Sequence, residues 1–263
     1  MPRFKYNRMH FLIMKVTFIG VGSASDSHYP NVSIYVQAKT ANILLDCGVT
    51  IIYELFKRQD ILMEADALYI SHRHADHFFG VPTLLLRMKK HGRTKPFIIF
   101  GYRGMEKYVT DLMKIAYSTL LDDVSKLPFK VNFVEFEKKK EMLGLKFELA
   151  PTVHPEINMA VKITEGNKSI VYSGDGMFSE EGKKLYANTD LLIHESFTID
   201  EREEGHANAF DLIQMSKEVR VKALALIHFD EKVRQEQMHK LRTIIKKEKA
   251  NAFVPEPNTI LLI

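Results

Sequence analysis

The sequence repeatedly places one histidine or aspartate directly after a short run rich in Val, Ile, Leu, Phe and Tyr. ALYIS (67–71) is followed by HRHADH, which sets His72, His74, Asp76 and His77 within six residues. APTV leads to His154, VYSG to Asp175 between two glycines, and LALI to His228. Short runs of this composition bounded by turn formers read as β-strands. Each of these polar residues therefore stands where an apolar strand ends. A chain built this way must bring several strand ends together before those residues can act on one ligand.

The remaining strand candidates are 15–20, 32–37, 41–48, 96–101, 130–136, 145–152, 159–165, 169–174, 191–196, 223–229 and 259–263. Helical patterns follow Gly48 (TIIYELFKRQ) and His77 (FFGVPTLLLRMKKHG, ending at Gly92). Three more run from Gly104, from Asn208 as N-cap, and from Glu231 to Lys249. Strands come first in meander-like succession, then alternate with helices. No Pro/Gly/Ser-rich linker divides the 263 residues and no fixed-period repeat is present. The expectation is one α+β domain over 1–263, two sheets covered by helices, with residues 1–13 as an N-terminal extension.

Metal chemistry explains the HRHADH motif best. Zinc and similar ions take imidazole and carboxylate ligands converging on one point. In extended or turn-like backbone His72 and His74, two apart, point the same way. Asp76 and His77 are neighbours and cannot easily face one ion, which suits a second ion or a divided role. The competing readings are an exposed polar loop and a helix capped by Asp76. Neither accounts for three further ligand-type residues at distant strand ends.

Composition bounds the partners. A net charge of +4, from 37 basic and 33 acidic residues, permits an anionic substrate without demanding one. The single cysteine, Cys47, allows no internal disulfide, fits a reducing compartment and points to the cytoplasm. In LLDCG it reads as a buried structural thiol. No apolar stretch of about 18 residues suggests a membrane span. The basic run Arg87–Lys95 is a candidate grip for a phosphate backbone, beside the reading as a solvated helix end.

His72, His74, Asp76, His77, His154, Asp175 and His228 match, in order, the ligand set of the metallo-β-lactamase superfamily, which the chain resembles from FIGVGS to TILLI. The resemblance implies a layered αββα sandwich with a dinuclear site at one edge of the two sheets. It implies one ion on His72, His74 and His154, a second on Asp76, His77 and His228, and Asp175 between them. Two Zn2+ are expected, with Mn2+ or Fe able to substitute. Such ions sit roughly 3.5–4 Å apart and share a hydroxide nucleophile. Asp76 would also orient or deprotonate the attacking water. Flavodi-iron relatives carry Glu in the motif where this chain has His74, which favours zinc hydrolysis.

Within the superfamily, FIGVGSASDSHYPNVS, ILLDCG, LLIHES and GHANAFD are similar to the tRNA 3′-processing endonucleases, ribonuclease Z. That family's His-Glu-Ala-Thr and Gly-His-Ser-Thr segments correspond to His194-Glu195-Ser196-Phe197 and Gly205-His206-Ala207-Asn208. By resemblance, Glu195 holds the tautomer of His206, which contacts the scissile phosphate or protonates the leaving oxygen. His194 packs the strand end instead. Three segments depart from the family. Only a plain hairpin around Glu165-Gly166-Asn167 separates His154 from Asp175, where ribonuclease Z carries a long tRNA-gripping arm. GVTIIY replaces Gly-Glu-Gly-Thr-Gln, and FDEKVR replaces Ser-x-Arg-Tyr.

The expected activity is a dinuclear-zinc phosphodiesterase acting on phosphodiesters, RNA among them, as a homodimer. Asp76, Glu195 and His206 are its candidate catalytic residues. The alternatives are a hydrolase of a small ester, thioester, lactone or cyclic nucleotide, and a non-catalytic metal-containing protein that binds nucleic acid.

Overall fold

The computed structural model describes residues 13–118 and 123–263. The expected extension, residues 1–13, lies outside them apart from Ile13. Two sheets face each other. One runs Ile260–Leu262, Lys15–Gly20, Ser33–Gln37, Asn42–Leu45, Ala67–Ile70, Phe97–Gly101, Val131–Glu135. The other runs Met177–Phe178, Leu145–Val153, Met159–Glu165, Lys168–Tyr172, Leu191–Glu195, Leu224–Ile227, Ala252–Phe253, with Lys139–Met142 as a hairpin partner of Leu145–Val153. Each sheet begins antiparallel and becomes parallel where helices supply the connections.

Period-2 alternation sorts the strand residues into layers. Tyr69 and Ala67 point between the sheets, with Ile43, Leu45, Phe100, Phe147, Ile170, Tyr172, Ile193 and Ile227. Leu68 and Ile70 point the other way, against Ile51, Leu55, Leu84, Leu85 and Met88 of covering helices. In the second sheet Val171, Leu192, Leu224 and Leu226 turn outward onto Leu212, Ile213, Met215 and Leu241. Both faces of the central strands are buried, which explains why they read as continuous apolar runs. The result is the αββα layering, in the metallo-β-lactamase fold.

Three helical details differ from the sequence expectation. The segment after Gly48 forms two helices, Ile51–Phe56 and Gln59–Glu64, broken at Arg58. The motif segment likewise splits into Ala75–Phe78 and Val81–Lys90. At the break the Gly80 N–H donates to the Cys47 carbonyl at 2.9 Å, outside the helix, and a Cβ on Gly80 would lie 2.2 Å from the Gly48 carbonyl oxygen, so only glycine fits where the two backbones meet. A short helix, Glu180–Tyr186, is capped by Ser179, whose Oγ accepts from Gly182 N–H at 2.9 Å. Its length falls below what periodicity reveals.

Within the basic run Arg87–Lys95, Arg93 is committed inside the fold, while Lys90 and Lys95 are exposed. Arg93 is fully buried and donates to the carbonyls of Leu62, Met63, Ala65, Lys95 and Pro96. Arg87 lies over the Phe56 ring and Lys95 pairs with Asp66 at 2.9 Å. Replacing Arg93 strands several buried carbonyls at once. Arg93→Met should lower unfolding stability by about 2–4 kcal/mol in urea titration, and Arg93→Lys should recover only part of it.

Candidate functional site

Every metal-ligand and catalytic candidate from the sequence lies at the same edge of the sandwich. His72 follows Ala67–Ile70 after Ser71, and His74, in extended backbone, starts the short helix Ala75–Phe78, which carries Asp76 and His77. His154 follows Leu145–Val153, and His228 follows Leu224–Ile227 with a left-handed φ of 59°. Asp175 lies between Gly174 and Gly176, both at positive φ, so the chain turns sharply enough to aim the carboxylate back over the strand ends.

These side chains form two adjacent groups. His72, His74, His154 and Asp175 each bring one ligand atom within 4.8 Å of the others, and so do Asp76, His77, Asp175 and His228. Asp175 belongs to both. His77 Nε2 is 3.2 Å from Asp76 Oδ2 and 3.2 Å from Asp175 Oδ1. His72 Nε2 is 3.6 Å from Asp175 Oδ2. Yet His72 Nε2, His77 Nε2 and Asp175 Oδ1 are buried and make no hydrogen bond. Buried imidazole nitrogens and a carboxylate oxygen left unsatisfied at a common point are the donor set that divalent cations use. The residues present therefore fit metal ions.

Electrostatics follow from the crowding. Burial drives the His72 imidazole well below its usual range, and nearby His77 adds to this. Burial raises the Asp76 and Asp175 carboxyls, but the charges of His77 and His228 outweigh it and hold both low. Carboxylates kept ionised in a buried pocket attract cations.

Asp46, absent from the candidates that the sequence suggests, orders this cluster. Its carboxylate is fully buried and accepts from Ser71 N–H (2.7 Å), Ser71 Oγ–H (2.6 Å), His77 Nδ1–H (2.7 Å) and Tyr172 Oη–H (2.6 Å). The His77 tautomer is thereby set, with Nε2 turned toward Asp76 and Asp175. A signal is available: an aspartate closing an apolar strand in LLDCG is a buried charge that needs several donors. Neighbouring Cys47 is buried, with its thiol pushed up by burial, in keeping with a structural role.

A second apparatus stands beside the cluster. Glu195 ends the strand Leu191–Glu195 and is fully buried. Its Oε1 accepts from Gly176 N–H (2.9 Å), Ala207 N–H (2.9 Å) and His206 Nδ1–H (3.2 Å). Burial raises the Glu195 carboxyl, while the His206 contact works against that rise. Burial lowers His206, but its hydrogen bond and charge contact with Glu195 win and raise it. The His206 ring lies 5.7 Å from His154 and 6.2 Å from His228. On the other flank a cavity of about 500 Å3 opens beside His74, walled by Arg73, Phe78, Phe79, Tyr108, Leu112 and Ile115.

The fold and this constellation define a metallohydrolase of the metallo-β-lactamase fold. The chain belongs to the family described as Anti-Pycsar protein Apyc1, which matches residues 14–251. It is 24% identical to a ribonuclease Z of Methanosarcina acetivorans, over 82% of this chain and 87% of that one. The metallo-β-lactamase fold protein YhfI of Bacillus subtilis superposes with a TM-score of 0.79 at 21% identity, covering 96% of this chain and 100% of YhfI. The short form of human tRNase Z superposes with a TM-score of 0.75 at 23% identity, covering 94% and 98%.

His194 lies beneath the site rather than in it. It is fully buried, its Nδ1–H donates to the Glu195 carbonyl at 2.8 Å, and burial pushes its pKa down to about 4. Unfolded, it takes up its proton near its ordinary value of 6.5. Between those values only the unfolded chain binds the proton, so stability is lost as pH falls from 6.5 toward 4. This residue's share is about 3 kcal/mol. His194→Asn, which keeps a donor, should remove that share when urea unfolding of the two proteins is compared at about pH 7 and about pH 4.

Proposed function

We propose that this protein is a dinuclear-metal phosphodiesterase that works as a homodimer on phosphodiesters, RNA among them. The observation that carries the reading is two adjacent ligand groups sharing Asp175, with the Glu195–His206 pair at their flank. His72, His74 and His154 would hold one ion, Asp76, His77 and His228 the other, with Asp175 common to both. Zinc suits these nitrogen and oxygen donors, and manganese or iron could replace it. When bound, such a pair polarises a phosphoryl oxygen and brings the pKa of water toward neutrality.

The chain's own residues supply the remainder. Asp76 orients the attacking water and takes its proton. As water oxygen bonds to phosphorus, the bond to the leaving oxygen breaks and keeps its electron pair there. His206 donates its Nε2 proton to that oxygen, because Glu195 already occupies Nδ1. The cavity beside His74, where Arg73, Asp111 and Glu156 join the apolar wall and which includes neither Glu195 nor His206, receives the ester group that stays on phosphorus.

The hairpin argues against grip on a whole tRNA. Met159–Glu165 pairs with Lys168–Tyr172 directly across Gly166 and Asn167, and no longer segment reaches out from it. Small diesters should therefore outrank precursor tRNA. The test is a screen of metal-loaded protein against bis(p-nitrophenyl) phosphate, cyclic nucleotides and precursor tRNA, beside thioester and lactone substrates. Chelator-sensitive diester hydrolysis is expected, falling by roughly 1,000-fold or more in His74→Ala. Full zinc loading with no diester cleaved, or much faster thioester or lactone turnover, would refute the reading.

Asp46 yields a separate expectation. Asp46→Asn keeps the volume but removes the charge that orients His77. Its affinity for zinc should fall about 10- to 100-fold in competition with a chromophoric chelator, while the fold by circular dichroism is retained.

A further inference from the structure

We infer that Phe197 is a positioning residue that fixes the ring plane of His206 for proton donation to the leaving oxygen. This rests on the phosphodiesterase reading, with His206 as the proton donor. The Phe197 and His206 rings stack with centroids 4.5 Å apart and planes 24° apart. That spacing is the close end of the range favoured by aromatic pairs.

The hydrogen bond from Nδ1 to Glu195 cannot do this alone. It anchors one edge of the imidazole at 3.2 Å and leaves the ring free to swing about that edge. The torsion between Cβ and an sp2 ring is broad, so packing must choose the plane. Phe197 stands closer to His206 than the His154 and His228 rings do, and the backbone holds it there. Phe197 N–H donates to the Ala207 carbonyl at 2.9 Å, and Ala209 N–H donates to the Thr198 carbonyl at 3.0 Å.

Both backbone bonds tie the segment carrying Glu195 and Phe197 to the segment carrying His206. His228 lies almost parallel to His206 at 6.2 Å and 16°, and His154 meets it edge-on at 78°. The imidazole, with its side chain 22% exposed, is thus held by one charge contact and one stacked face while Nε2 stays open. In the ribonuclease Z segment that this stretch resembles, threonine stands in place of Phe197, and threonine offers no ring to stack.

A proton donor matters more as the leaving group becomes more basic, which separates positioning from general support of the fold. The experiment uses metal-loaded full-length protein and three thymidine 5′-aryl phosphodiesters, with 4-nitrophenol, 3-nitrophenol and phenol as leaving groups. His206→Ala should lose roughly 100-fold more rate on the phenyl ester than on the 4-nitrophenyl ester, and Phe197→Ala roughly 10-fold more. Phe197→Tyr, which keeps the ring, should restore the shallow dependence. The double variant should be no steeper than His206→Ala alone, since Phe197 acts through that ring. A uniform loss across the three esters in Phe197→Ala, with the steep dependence intact in His206→Ala, overturns the role of Phe197. A uniform loss in His206→Ala overturns the proton-donor reading itself, and with it this one.

Discussion

The buried carboxylate of Asp46 is the constraint on which the site depends. A charge at that depth is tolerated only if donors surround it, and it has four, drawn from Ser71, His77 and Tyr172. Ser71 stands at the end of Ala67–Ile70 in one sheet, while Tyr172 ends Lys168–Tyr172 in the other. One side chain therefore staples the two sheets at the edge where they deliver the site residues. The backbone cooperates. Asp46 itself adopts a left-handed φ of 59°, and a Cβ on Gly48 would lie 1.8 Å from the Asp76 carbonyl oxygen. The turn after the strand and the motif helix are pressed together by construction.

That arrangement holds charge under tension. Imidazoles and carboxylates crowd one edge of the sandwich, and the shifts oppose each other. His72 is driven toward neutrality by burial, whereas Asp76 and Asp175 are kept ionised against burial by His77 and His228. Neutral imidazoles and ionised carboxylates are the protonation states that coordinate cations. His72, Asp76 and Asp175 are therefore held in the forms a metal needs, whereas His77 and His228, raised against burial by those same carboxylates, give up their protons to a cation that displaces them.

Much of this is legible in the sequence because its signals are local. An apolar run followed by one ligand-type residue is visible at His154, Asp175 and His228, and the alternation of Leu68 and Ile70 with Tyr69 encodes two buried faces. What escapes depends on contacts between distant segments. The break at Gly80 falls where its N–H bonds the distant Cys47 carbonyl, and backbone from residues 47–48 occupies the space a side chain would need there. Arg93 reads as part of a basic patch until the carbonyls of residues 62–65 fold over it. Asp46 reads as the polar end of a strand until Tyr172, 126 positions away, donates to it.

Glu195 applies the same logic as Asp46 with a different outcome. Its Oε1 collects three donors, yet its Oε2 is buried without a partner. Asp46 is saturated and serves as a fixed anchor. Glu195 is only half satisfied, so burial leaves its carboxyl raised, with the His206 bond working against that rise. The two carboxylates thus hold different imidazoles: Asp46 fixes His77 within the ligand groups, and Glu195 fixes His206 beside them.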